Sequence, residues 1–165
     1  IRQKSVEELT KLCIPYLERS DLLKFKDVGR SNLQKLYKII ALEQPRLKKL
    51  SELPEKIYYF FKESEYDKEL LRWKNMSDEE IISSLDKATE LLNKLVRFNL
   101  HNLEKAFLKE AEGLNDKGIL LWPLRVALTG KKASPGPFEI MEILRIKETL
   151  KRLKAAKEKL RGRTP

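Results

Sequence analysis

The stretch from Ser77 to Phe98, SDEEIISSLDKATELLNKLVRF, decides the class of fold. Ser77 is followed three residues later by Glu80, the reciprocal pair of a capping box, in which hydroxyl and carboxylate each accept from the other residue's backbone N–H. Ile81, Leu85, Ala88, Leu92 and Leu95 then recur every three or four residues, one stripe of a helix running from about Asp78 to Phe98. Nothing in the stretch alternates apolar with polar residues as a half-buried strand would.

The same grammar extends in both directions. Ser5 and Glu8 form a second capping box ahead of Val6, Leu9, Leu12, Cys13 and Leu17, and Pro15 predicts a kink or an early end to that helix. A further helix is expected from Ser31 to Glu43, with Leu33, Leu36, Tyr37, Ile40 and Ala41 buried and Pro45 stopping it or starting the next element. Residues 45 to 61 hold two prolines and end in Ile-Tyr-Tyr-Phe-Phe, which reads as a cluster of short helical turns. Beyond a break near Asn99, Leu103, Phe107, Leu108 and Ala111 lead to Gly113, a candidate left-handed cap. An apolar segment from Lys117 to Thr129 has Pro123 in its first turn, then comes the loop GKKASPGP (130 to 137) and one or two terminal helices. The chain therefore reads as all-α. The polar, weakly patterned stretch Lys62 to Asp67 divides it into two helical subdomains, 1–66 and 67–165.

Composition narrows the functions. Cys13 is the single cysteine and His101 the single histidine, so neither a disulfide scaffold nor a Cys/His zinc site can be assembled, and no metal site is expected. No apolar run approaches the roughly 18 residues of a membrane span, and no signal peptide opens the chain, so a soluble, cytoplasmic protein without membrane contact is expected. The first residue is Ile1 rather than Met, which suggests a piece of a longer protein. The net charge is +10, and nine basic residues against two acidic ones between Arg145 and Pro165 hold +7 of it. Such a surface either attracts a polyanion such as nucleic acid or is simply a solvated helical tail.

No catalytic constellation emerges. His101 lies at an expected helix start, Cys13 on an apolar stripe, and Glu63, Glu65 and Asp78 to Glu80 are ordinary surface or first-turn carboxylates. The Tyr58 to Phe61 aromatics invite base stacking, but four consecutive rings point to all sides of a helix and mostly serve the core. The segment Trp122 to Phe138 is more suggestive. It sets Arg125, suited to bidentate recognition, beside a loop with Lys131, Lys132, Ser134 and a rigid Pro-Gly-Pro turn. A tight interhelical loop with an ordinary surface arginine would read the same way.

Residues 123 to 138, PLRVALTGKKASPGPF, resemble a stretch near the C-terminus of bacterial-type glutamyl-tRNA synthetases: PLR-x-ALTG, a variable loop ending in Pro-Gly, then a hydrophobic helix start continued here by Phe138, Ile140 and Ile143. Residues 45 to 61, PRLKKLSELPEKIYYFF, are similar to that family's basic, leucine-containing element and aromatic-ended short helix, and residues 1 to 9 to the entry into this region. The resemblance implies an all-helical anticodon-binding domain of two subdomains cradling the unpaired anticodon bases of glutamate tRNA. Residues 1 to 20 would belong to the first subdomain or to a preceding stem-contact segment.

Carried over by position, Arg125, Ser134, Pro135, Pro137 and Phe138 would contact anticodon bases, Gln44 would read the last base, and Arg46, Lys131 and Lys132 would meet backbone phosphate. Many relatives have a bulky aliphatic residue where Pro137 stands. An arginine at the position of Gln44 goes with members that accept glutamate tRNA only. Gln44, an amide that both donates and accepts, leaves room for glutamine tRNA as a second partner. The family's HIGH-like and KMSKS-like signatures are absent. The fragment alone is thus expected to hold no cofactor and to be no enzyme, its parent being a glutamate-tRNA ligase using ATP and Mg²⁺, and a monomer is expected. The rival reading is a basic helical protein-interaction module.

Overall fold

The computed structural model describes residues 1–24 and 28–162, and among these every regular element is helical. Seven α-helices are linked by short 3₁₀ turns: α1 (Val6–Arg19), α2 (Arg30–Glu43), α3 (Leu53–Ile57), α4 (Asp78–Lys94), α5 (Leu100–Glu112), α6 (Gly118–Thr129) and α7 (Pro137–Leu160). They fall into two compact units, Ile1–Lys62 and Glu63–Pro165. The division lies at 62/63, and residues 63 to 66 join the second unit, where Lys151 pairs with Glu63 at 3.0 Å and Lys159 donates to the Tyr66 carbonyl.

In the first unit α1 packs against α2 and α3. Ser5 and Glu8 close the capping box that starts α1, and Leu9, Cys13 and Leu17 are fully buried. The helix continues through Pro15, an exposed position, so only a solvent-side hydrogen bond is lost and the helix neither stops there nor ends early. Leu12 is 43 % exposed rather than on the buried stripe, and on α2 Ile39 is buried where Ala41 was expected. Pro45 sits in a 3₁₀ turn over Gln44–Arg46, and residues 50 to 60 are a run of short turns around α3. Tyr59 and Phe60 are buried with ring centroids 4.5 Å apart, leaving Tyr58 exposed.

The core of the second unit lies among α4, α5, α6 and α7. Ser77 and Glu80 form the expected capping box, and Ile81, Leu85, Ala88 and Leu92 are buried. The helix stops at Lys94, four residues short of Phe98. Leu95 is extended, Val96 stands almost wholly in solvent, and the turn ends where Asn99 caps α5 through its Oδ1 to the Asn102 N–H, 2.9 Å. The Glu142 carboxylate accepts from the Leu100 N–H at the same helix start, so pairing with α7 fixes the break. Gly113 ends α5 with φ −74, a right-handed cap closed by bonds to Glu110 and Ala111, and Leu108 is exposed. Pro123 lies inside α6, past the first turn, and is buried against neighbouring helices.

Helix α7 is two helices joined across Arg145, whose φ 70 and ψ 167 are not helical. Such a conformation is natural for glycine and strained for arginine, by about 1–3 kcal/mol. The Arg145 guanidinium lies 5.4 Å over the Phe98 ring, tying the break to the turn before α5.

Candidate nucleic-acid interface

The α6–α7 junction is built from its termini. Gly130 ends α6 in the left-handed conformation (φ 65), its N–H 2.7 Å from the Val126 carbonyl, and a Cβ there would stand 2.6 Å from that of Ser64. Thr129 Oγ1 donates to the Arg125 carbonyl at 2.8 Å and accepts from the Lys131 N–H at 3.0 Å, so the first loop residue is bound to the last helical turn. Arg152, 4 % exposed, reaches from α7 to donate to the Leu128 carbonyl at 2.6 Å. That bond satisfies one of the carbonyls a helix end leaves open.

Arg125 braces the far side of the loop. Its Nη1 donates to the carbonyls of Ser134 (2.9 Å) and Pro135 (3.0 Å) and to Ser134 Oγ, which itself donates to the Pro135 carbonyl at 2.8 Å. The loop is therefore held in one shape by a guanidinium from the helix before it. Pro135, Pro137 and Phe138 are buried, and Phe138 packs on Phe107 at 5.9 Å between centroids. Lys132 and Ala133 face solvent, with Lys131, Ser134 and Gly136 half-buried. Glu139 folds back on Gly136, whose missing Cβ makes room for the carboxylate; Glu139 Oε2 is buried and carries no hydrogen bond.

Beside the loop runs a groove of about 790 Å³ lined by Tyr66, Arg72, Trp73, Lys74, Trp122 and Lys132 among others. Trp73 and Trp122 meet at 5.3 Å between centroids, their indole N–H groups donating to Asp116 Oδ2 and the Leu70 carbonyl. Lys74 bonds to Asp116 as well. With Trp73 and the Gly118 N–H it holds that carboxyl at about 2, below its ordinary 3.8. Gly118 is close-packed by necessity, since a Cβ would lie 2.2 Å from the Trp73 ring. Trp73 is not legible as a site residue in the sequence. A lone tryptophan in a polar stretch gives no signal, and only folding sets it against Trp122.

Gln44 and Arg46 lie in the first unit. The Gln44 amide nitrogen donates to the carbonyls of Ile1 (3.0 Å) and Lys4 (2.8 Å), anchoring the segment ahead of α1. Arg46 lies 3.5 Å from the carboxylate of Glu43, which is 1 % exposed. Elsewhere, His101 is exposed at the start of α5, and Cys13 is a core residue whose thiol burial pushes up to about 11. Among the described residues no group of three or more His, Cys, Asp or Glu is placed to hold a metal ion, and no helix is long and apolar enough to cross a membrane.

Over 98 % of its length the chain is 40 % identical to a glutamate--tRNA ligase of Clostridium tetani, covering 32 % of that protein. It is 34 % identical over the same share to that of Clostridium kluyveri, again covering 32 %. It thus spans about a third of the curated relatives it matches. A crystal structure of a glutamate tRNA ligase from Elizabethkingia meningosepticum superposes with TM-score 0.74 at 23 % identity, over 94 % of this chain and 29 % of that one, which establishes a shared fold. The family model described as an anticodon binding domain matches residues 8–157, and the chain belongs to that family.

Proposed function

We propose that this chain is the part of a glutamate-tRNA ligase that binds glutamate tRNA and selects it by its anticodon. The observation that carries the reading is the match to the anticodon-binding family over residues 8–157. The braced α6–α7 loop supplies a chemistry for it. Unpaired bases are read by groups held at fixed positions, and Arg125 fixes the Ser134 and Pro135 backbone before any ligand arrives. In this reading Arg125 and Ser134 meet base edges, while Pro135, Pro137 and Phe138 shape the loop and present its backbone. Lys131 and Lys132 engage phosphate.

In the first unit Gln44 meets the last anticodon base and Arg46 a neighbouring phosphate. Gln44 uses its nitrogen on Ile1 and Lys4, so the group it offers is the Oε1 acceptor. An acceptor favours a base with an amino group, a feature that leaves glutamine tRNA open as a second partner. The catalytic step, with its ATP and Mg²⁺, belongs to the remainder of a cytoplasmic, monomeric parent enzyme.

The test is binding of the 165-residue chain to a glutamate tRNA transcript and to transcripts with single anticodon substitutions, at matched salt. Loss of one base contact corresponds to about tenfold or more in affinity, 1–3 kcal/mol. Equal binding of every transcript would leave the chain a basic helical surface and return the interaction-module reading.

A further inference from the structure

The second half of α7 carries a feature that the base-contacting loop does not use. Lys147, Lys151, Lys154, Glu158 and Arg161 follow one another at spacings of four, three, four and three residues, which puts them on one side of a helix. The opposite side, Thr149, Arg152, Leu153, Ala156 and Leu160, is buried, so the row faces outward. At a rise of about 1.5 Å per residue it is roughly 21 Å long.

The fold sorts the basic residues described in this segment, Arg163 lying outside them, into partnered and unpartnered ones. Arg152, Lys157 and Lys159 are turned inward or sideways and bonded to Leu128 and Glu148, to Asp86 and to Tyr66. Arg145 is held on Phe98, and Lys151 shares its charge with Glu63 while keeping a 65 % exposed side chain. Lys147, Lys154 and Arg161 are exposed and form no ion pair among the described residues. Glu158 is the one carboxylate in the row, so its charges are mostly positive; like charges so placed are destabilising by themselves, and the repulsion relaxes when a polyanion replaces the small counterions. A linear, mostly cationic array matches a linear polyanion, and among biological polyanions a nucleic-acid backbone has that form.

We propose that the Lys147, Lys151, Lys154 and Arg161 face of α7 is a track for the sugar-phosphate backbone of the bound RNA, outside the loop that meets the bases. This rests on the proposed function for the identity of the RNA. The track contributes affinity and salt dependence without sequence preference, because phosphates carry no base information.

The experiment measures Kd of the 165-residue chain from low to high salt for two RNAs, a glutamate tRNA transcript and the same transcript with all three anticodon bases changed. The variant is Lys147→Gln/Lys154→Gln/Arg161→Gln. A matched control removes three exposed charges elsewhere on the same unit, Lys105→Gln/Lys109→Gln/Lys117→Gln. We expect the α7 variant to weaken both RNAs by the same factor, about tenfold or more, and to flatten the log–log salt slope by about 2 to 3. The control should keep nearly the parental slope. Lys147→Arg/Lys154→Arg should bind as the parent does, which separates charge from damage to the helix.

Unchanged affinity and slope in the α7 variant would overturn the proposal, as would an equal loss in the control. A loss confined to the native anticodon would also overturn it. If the parent fails to distinguish the two RNAs while the α7 variant still loses slope, the anticodon reading fails and the track stands.

Discussion

Arg125 acts first on its own chain, whatever it does for a ligand. Arg125→Ala leaves the Ser134 and Pro135 carbonyls without their charged donor, so thermal unfolding should fall by the equivalent of about 1.5–3 kcal/mol. Arg125→Lys should recover little, since an ammonium does not reproduce the guanidinium's geometry toward three acceptors. Arg46 is tested in the same way. If its charge serves the buried Glu43, Arg46→Ala lowers the melting temperature and adding Glu43→Gln restores it; an unchanged melt would leave Arg46 wholly to phosphate. Asp116 supplies a pH signature. Its folded pKa, about 2, lies below the ordinary 3.8, so its contribution is complete above pH 3.8 and lost as pH falls toward 2. Acid melts of the parent and of Asp116→Asn should therefore converge over that window, and parallel curves would show that the Lys74 and Trp73 bonds do not persist in solution.

Helix ends, more than helix interiors, give this domain its form. Gly130 closes α6 with a left-handed residue and no room for a side chain, so Gly130→Ala should destabilise by more than about 1 kcal/mol and loosen the loop that follows. At the α7 break the comparison runs the other way. Arg145→Gly should be more stable than Arg145→Ala by about 1 kcal/mol or more, because both lose the Phe98 contact but only glycine tolerates φ 70 without strain. A helix running straight there would reverse the order, since alanine is favoured over glycine inside a helix by about 1 kcal/mol, so Arg145→Ala melting above Arg145→Gly would overturn the break. Capping boxes were legible from the sequence because donor and acceptor lie three residues apart. The early stop of α4 at Lys94 was not, because Asn99 and the distant Glu142 hold the start of α5.

The two units differ in how well they can support themselves. The second unit has four long helices around its own core; the first has 62 residues and two. Chains of about 60 residues bury only about 60 % of their surface and are marginal alone. A fragment of residues 63–165 should melt cooperatively, and one of residues 1–62 should show a weak, broad transition. Two comparably sharp melts would contradict this. The sequence by itself determined the all-α class, most helix starts, the basic terminus and the likeness carried by residues 123 to 138, because each depends on residues a few positions apart. Only the tertiary structure decided that Arg125 braces its own loop, that Gln44 anchors the segment before α1, that Phe138 is core, and which of the terminal cations remain unpaired. Those outcomes depend on partners up to 93 residues away, as between Tyr66 and Lys159, and a local pattern carries no information about which distant group will satisfy a buried donor or cancel a charge.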